Sequence, residues 1–353
     1  RVAAGDPPDA TYTNFDVQAT LAQQGTFLPL DEYLSASSLK REDFVTAMYD
    51  ASLWEGKLYA LPGGADFVTL FYSKTCYKNA GLDPEAPPKT TAELIEHSMK
   101  ILKKDSSGNI ESLGYSPSNW ELGSFWAFIF GGQWYDESSK KITANHPKNV
   151  EALEWCAAYV KSVGVDQLMN WQSSQPGNYN PGNPFATGRA GFALDGFWFY
   201  STLNDLAPDL EYGITFIPTI NGTPEERKNY SVGGWMLGIP KGVKNAAESW
   251  KFVKYGFADN SWKMGCDTEN GCVMVGQMKQ FDECVTNKIG AEDRMTPYFH
   301  FFSETGAAAT KYWPAIPANQ FLRDEVNRAY DAVVRGQQEA KAALDQVTEL
   351  AQK

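Results

Sequence analysis

The sequence contains no Cys-x-x-Cys pair, no His-Glu-x-x-His, no Gly-x-Ser-x-Gly, no P-loop and no Gly-x-Gly-x-x-Gly. These absences remove the motif-borne routes to zinc, serine-hydrolase, nucleotide and dinucleotide chemistry. Histidine is scarce: His97, His146 and His300 stand apart, and His97 falls on a predicted amphipathic helix where a solvent-facing place is expected. Neither a metal nor a cofactor is expected. No stretch approaches the roughly 18 uninterrupted apolar residues of a membrane helix, and no basic-then-apolar leader opens the chain, so the chain as given is expected to be soluble. Positive charge is in deficit, with 31 Lys and Arg against 43 Asp and Glu and a net charge of -12. A nucleic-acid partner is therefore not expected, because phosphate binding runs on clustered cations and counterion release.

Cysteine is sparse and unpatterned: Cys76, Cys156, Cys266, Cys272 and Cys284. Cys266 and Cys272 are spaced to close a small loop in an oxidising compartment, a pairing that the spacing leaves open. An odd count leaves at least one thiol unpaired or paired elsewhere.

What is present is a packed globular composition, 43% hydrophobic and 21% charged over 353 residues, a length that suggests about two domains. Aromatic residues make up 14%, including 11 tryptophans. Rings of this kind fill cores or form flat platforms for ligands.

Thr90-Thr91-Ala92-Glu93 has the form of a capping box and predicts a helix from about Thr91 to Lys104. Just upstream, Phe67 to Tyr72 reads as a buried strand. Val150, Leu153, Ala157 and Val160 recur at helical spacing behind Pro147, and Ala190–Leu194, Gly213–Ile220 and Trp235–Pro240 read as strands. Ala246, Trp250, Val253 and Phe257 mark a helix face, and Asn319–Lys353 reads as helix interrupted near Gly336. Strands alternating with helices predict an α/β architecture with mostly parallel pairing. Ser174–Pro184 is the strongest loop signal, and no internal repeat or low-complexity segment is found.

A catalytic carboxylate pair has no distinguishing signal, since 43 acidic residues supply many pairs. What stands out are polar and aromatic residues at predicted strand ends: Asp66 before a strand, Asn119 and Trp120 after a strand-like Leu113–Ser116, Trp198 after Asp195-Gly196, and Trp235 after Gly233-Gly234. Ligands of open α/β sheets bind where strands end. Rings beside carboxylates and amides suit a sugar, whose C–H faces stack and whose hydroxyls require partners. Core packing is the competing reading for each ring, most of all within Phe197-Trp198-Phe199-Tyr200.

Several stretches together resemble the extracellular solute-binding proteins of sugar-importing ABC transporters, the maltose-binding-protein-like family. They are Gly5-Asp6-Pro7-Pro8-Asp9, Gly25–Asp31, Gly56–Pro62, Leu70–Lys74, Ala80–Asp83, Pro87–Thr90, Phe185–Phe192, Asp195–Trp198, Tyr212–Pro218 and Gly233-Gly234 with Gly238–Lys241. Each is weak alone; their order and spacing along nearly the whole chain are specific.

The resemblance implies a two-lobed periplasmic-binding-protein fold with a hinge and an interlobe ligand cleft. The first lobe would take residues 1–110 plus 263–307, and the second 111–262 plus 308–353. Members of the family carry a strand, helix and strand before the segment near Gly5, whereas this sequence starts almost at it; either those residues precede the given sequence or the first lobe is unusual. Carried over by matching motifs, the ligand-binding residues would be Asn14, Asp16, Asp66, Asn119, Trp120, Asp195, Trp198, Gly234, Trp235 and Arg323. The aromatic contact after Pro8-Asp9 is not retained at its matching place, and the family's carboxy-terminal aromatic is replaced by Leu322-Arg323, which argues against maltose itself as ligand.

The implied function is non-enzymatic binding of a mono- or oligosaccharide, lobe closure, and delivery to a transmembrane ABC permease. The protein is expected to be a monomer, periplasmic or an extracellular lipid-anchored lipoprotein, its signal already removed. Two other readings stand beside it: a secreted glycoside-active enzyme using carboxylates such as Asp66 and Asp195, and a binder of a non-sugar solute such as a polyamine or phosphate ester.

Overall fold

A computed structural model describes residues 4–66, 68–118, 121–177, 179–229, 232–268, 271–305 and 311–352. The elements used below are, in chain order, β1 (Thr11–Asn14), α1 (Phe15–Gln23), β2 (Ala60–Asp66), β3 (Val68–Ser73), α2 (Thr91–Ile101), α3 (Pro147–Val163), α4 (Val165–Ser174), β4 (Phe192–Gly196), α5 (Phe197–Leu206), β5 (Tyr212–Thr215), β6 (Gly233–Gly238), α6 (Ala246–Lys254), α7 (Ser261–Thr268), α8 (Met278–Ile289), α9 (Thr296–Thr305), α10 (Asn319–Val334) and α11 (Ala340–Ala351). No helix among the described residues is long and apolar enough to cross a membrane.

Local chemistry accounts for the helix ends. The α2 capping box is complete, with Thr90 Oγ1 accepting from the Glu93 amide at 3.1 Å and Glu93 accepting from the Thr90 amide at 3.0 Å. Helix α3 starts on Pro147, whose missing N–H is harmless in a first turn. The carboxy-terminal segment breaks between α10 and α11 around Gly336, which takes φ 69°, a conformation that favours glycine.

The chain divides into two compact units, residues 1–67 with 230–324 and residues 68–229 with 325–353. These boundaries differ from the division at 110/111, 262/263 and 307/308 drawn from the resemblance. Strand pairing gives the reason. Val68–Ser73 is hydrogen-bonded on both edges to strands from residues 192–196 and 212–215, which ties the chain from Val68 to these strands to the second unit.

In the first unit, three strands run in the order β1-β6-β2. Asn14 lies opposite Trp235, Gly233 lies opposite Asp66, and the register shifts between Trp235 and Met236. Leu30, Val45, Met48, Leu58, Met236 and Phe302 are fully buried there. The disulfide joins Cys266 on α7 to Cys284 on α8, with Cα atoms 6.2 Å apart, rather than Cys266 to Cys272. Cys272 is a buried free thiol whose sulfur lies 3.4 Å from Ser261 Oγ, so its neighbour is a hydroxyl and not a second sulfur.

In the second unit, the order is β4-β3-β5. The helices α2, α3 and α11 contribute Leu94, Leu153, Val160 and Leu344 to its core, together with Trp126 and Trp134. Among the described residues, the ladders of both sheets are antiparallel, and parallel pairing is confined to the isolated bridges Thr90–Thr219 and Leu113–Ala190. The expected mostly parallel pairing is thus corrected, because periodicity reports which residues are buried but not the direction of a partner more than a hundred residues away. Gly213–Ile220 yields a strand only to Thr215; Pro218 has no N–H to extend a ladder.

Candidate functional site

In the first unit, β1 reads Thr-Tyr-Thr-Asn, and strand alternation turns Thr13 inward and Tyr12 outward. Tyr12 lies against Trp235 of β6 with ring centroids 5.0 Å apart and planes within 3° of parallel. Both rings stay open to solvent, Tyr12 at 48% and Trp235 at 37% exposure. Phe257 supports Tyr12 at 6.1 Å.

Gly234 is what lets Trp235 take this position. A Cβ there would lie 2.0 Å from the Gly64 carbonyl oxygen and 2.6 Å from Met48 Cε, so only glycine allows β6 to approach β2 so closely. Asn14 caps α1, its Oδ1 accepting from the Asp16 amide at 3.0 Å. That bond uses one side-chain oxygen and places Asp16 in the first helical turn.

Asp16, Asp66 and Arg323 form the charged part of this surface. Arg323 Nη2 donates to Asp16 Oδ1 at 2.6 Å, and the guanidinium lies 5.0 Å above the ring of buried Trp313. Burial raises the Asp16 carboxyl above its ordinary range while the Arg323 charge pulls it back. Asp66 has no such pairing: its Oδ1 is buried without a hydrogen-bond partner. Burial first, and the nearby Asp16 charge second, push Asp66 up to about 7. The same Asp66 charge, after burial, helps to push the Tyr12 hydroxyl up to about 12.

In the second unit, β4 runs directly into α5 through Asp195 and Gly196. Asp195 is buried, and its Oδ1 accepts from the Gly196 amide at 2.8 Å. Phe197, Phe199 and Tyr200 are buried, with Phe199 edge-on to Phe71 at 5.3 Å, while Trp198 alone of the four consecutive aromatics is half-buried. Trp198 covers Gly196 so closely that a Cβ there would lie 2.2 Å from its ring.

Residues 1–259 match the family of bacterial extracellular solute-binding proteins. The chain belongs to that family. The maltotriose-binding protein of Pyrococcus abyssi is 26% identical over 258 residues, which are 72% of this chain and 51% of that protein, so the match spans about half of that relative's length. The maltooligosaccharide ABC transporter solute-binding lipoprotein of Streptococcus pneumoniae is 24% identical over 363 residues, covering 98% of this chain and 76% of that one. A solved structure of CpMnBP1 with mannobiose bound is similar with a TM-score of 0.80 at 26% identity, over 99% of this chain and 85% of that chain. The fold is accordingly the α/β fold of these binding proteins, and the family is one of solute-binding proteins and not of enzymes.

Within this solute-binding protein, the residues singled out from the sequence fall into three sets. Asn14, Asp66 and Trp235 lie on paired strands of the first unit, with Gly234 beside Trp235 on the buried side and Asp16 and Arg323 on flanking helices. Asp195 and Trp198 meet at the β4–α5 junction of the second. Asn119 and Trp120 lie outside the described residues. Sequence reasoning missed two rings. Tyr12 was legible in the alternation of its strand, whereas nothing local marks Trp313 as the support of an arginine ten residues on. His97 is not a free surface group either: it lies 2.9 Å from the Tyr77 hydroxyl, and burial lowers its pKa. No group of three or more His, Cys, Asp or Glu among the described residues is placed to hold a metal ion.

Proposed function

We propose that this chain binds a mono- or oligosaccharide outside the cell and delivers it to the transmembrane permease of an ABC importer, without turning it over. The observation that carries the proposal is the solvent-open Tyr12–Trp235 stack lying beside the buried, unpartnered oxygen of Asp66. A sugar ring presents C–H faces that pack on aromatic surface and hydroxyls that need hydrogen-bond partners on desolvation. An aromatic platform edged by a carboxylate supplies both. Asp16 and Arg323 hold each other in place and offer further polar atoms, while Asn14 and Gly234 shape the backbone under them. Within the second unit, Trp198 and Asp195 are the residues proposed to contact sugar. The maltotriose-binding and maltooligosaccharide-binding relatives and the mannobiose-bound structure support the ligand class. Lobe closure, implied by the family resemblance, is the step that couples binding to delivery.

One observation favours a second reading. A carboxyl raised to about 7, as at Asp66, has the proton affinity of a general acid, as a glycoside-active enzyme requires. Incubating the protein with maltotriose and mannobiose while following tryptophan fluorescence and reducing-end release separates the two. Saturable fluorescence change with intact sugar is the expected result; release of shorter sugars would contradict the binding-protein reading.

A further inference from the structure

The second unit contains a cavity of about 450 Å³ lined from β4, α4 and α10. Its volume lies in the range of small-molecule sites. Two acids line it, Glu121 and Asp331, and among the described lining residues there is no Lys, Arg or His. Glu121 is buried, and its Oε2 accepts from the Tyr115 hydroxyl and the Ser118 amide. Its Oε1 has no hydrogen-bond partner among the described residues and is left to the cavity. The titratable groups facing Glu121 are Tyr115, Cys156 on α3 and Tyr330 on α10, none of which supplies positive charge. Burial pushes the Glu121 carboxyl up to about 7; burial also raises Asp331, while Arg335 pulls it back. Glu121 therefore lacks the counter-charge that would offset the desolvation of its carboxylate.

The rest of the wall is aromatic or neutral. Trp171, Phe185, Phe192 and Tyr330 supply ring surface. Gln172 Nε2 donates to Ser116 Oγ at 3.2 Å and to the Pro117 carbonyl at 2.7 Å, which leaves its Oε1 as an acceptor. The remaining hydroxyls and amides can donate, but carrying no charge they cannot balance a carboxylate. Trp171 also borders an adjoining cavity of about 360 Å³, where its ring already carries a cation: the Arg189 guanidinium lies 5.2 Å from the ring centroid. Arg189 is held there by donating to Gln175 Oε1 at 2.9 Å.

An anion in the larger cavity would meet two like charges. A metal ion would find too few ligands, since no group of three or more His, Cys, Asp or Glu among the described residues is placed to hold one. A protonated amine matches both parts of the wall, its N–H groups suiting carboxylate and amide oxygens and its alkyl part suiting the rings. We propose that this cavity is a second binding site, for a small protonated alkylamine whose ammonium donates to Glu121 and Gln172 and whose alkyl part lies on Trp171. Asp331, more exposed on α10, is the outer counter-charge. The site lies within one unit and does not depend on the carbohydrate reading.

Calorimetric titration of the full chain at pH 8 with butylamine, 1-butanol and butyrate tests this, using wild type, Glu121→Gln and Asp331→Asn. The three probes share an alkyl chain and differ in the charge of the head. The expected result is saturable binding of butylamine, at least tenfold tighter than that of butanol or butyrate, and weakened at least fivefold in each variant. Asp331→Asn changes an exposed side chain, so it decides the matter alone if Glu121→Gln, at a buried position, lowers the Tm or fails to fold. Butanol binding as tightly as butylamine would overturn the role of charge. Wild-type affinity for butylamine in Asp331→Asn and in folded Glu121→Gln would place the amine elsewhere and overturn the site, as would a wild type that binds no butylamine.

Discussion

Replacing Asp66 by Asn should make the unliganded protein more stable at pH 8 and change little at pH 4.5. In the folded chain, the Asp66 carboxyl is raised from 3.8 to about 7, first by burial and then by Asp16. The folded state therefore holds a proton on Asp66 that the unfolded chain has already released between about pH 4 and pH 7. Stability falls with rising pH wherever the folded state binds more protons, so the penalty is absent below the unfolded value and complete above about 7. The displacement corresponds to about 4 kcal/mol as an upper bound. Solvent reaching the partly exposed side chain reduces that, and a measured gain of about 1–3 kcal/mol at pH 8 is the working expectation. Urea unfolding of wild type and Asp66→Asn at pH 4.5, 6 and 8, followed by tryptophan fluorescence, reads it. A difference between the two proteins that is the same at all three pH values would refute the reasoning, because it would place no titration at Asp66 in this range.

Three further outcomes follow from the packing. Gly234→Ala should cost more than about 2 kcal/mol of stability, as a thermal melt will record, because its Cβ would sit 2.0 Å from the Gly64 oxygen. Reducing the Cys266–Cys284 bond, or Cys284→Ser, should lower stability by about 3 kcal/mol in denaturant, the loop-closure value for a separation of 18 residues. Phe199→Ala should cost about 3–5 kcal/mol as a large core truncation, whereas Trp198→Ala, from a half-buried position, should cost less than half as much in the same assay.

The features legible in the sequence are those that local chemistry determines. The α2 capping box, the Pro147 start of α3 and the break at Gly336 each depend on residues within four positions, and each was readable where it stands. The contrast among the four aromatics after Gly196 was also readable in outline, since four consecutive residues go once round a helix and cannot all face one core. Strand direction was not legible, because β3 finds its partners at residues 192–196 and 212–215 through connections whose course leaves no local mark. The same holds for the disulfide: Cys284 meets Cys266 only because α7 packs on α8, while the nearer Cys272 turns toward Ser261. At the candidate site, the family resemblance supplied Asp16 and Arg323 as separate contacts. Their ion pair, spanning 307 positions, and the resulting isolation of Asp66 are tertiary facts.

The central claim, that Trp235 on its Tyr12 support reads a sugar, is tested most directly by calorimetric titration of wild type and Trp235→Ala with maltotriose and mannobiose. At 37% exposure the ring contributes little to the core, so the variant should fold normally. Loss of one stacking face is expected to weaken binding by about tenfold or more. A variant that binds the same sugar with wild-type affinity would contradict the account.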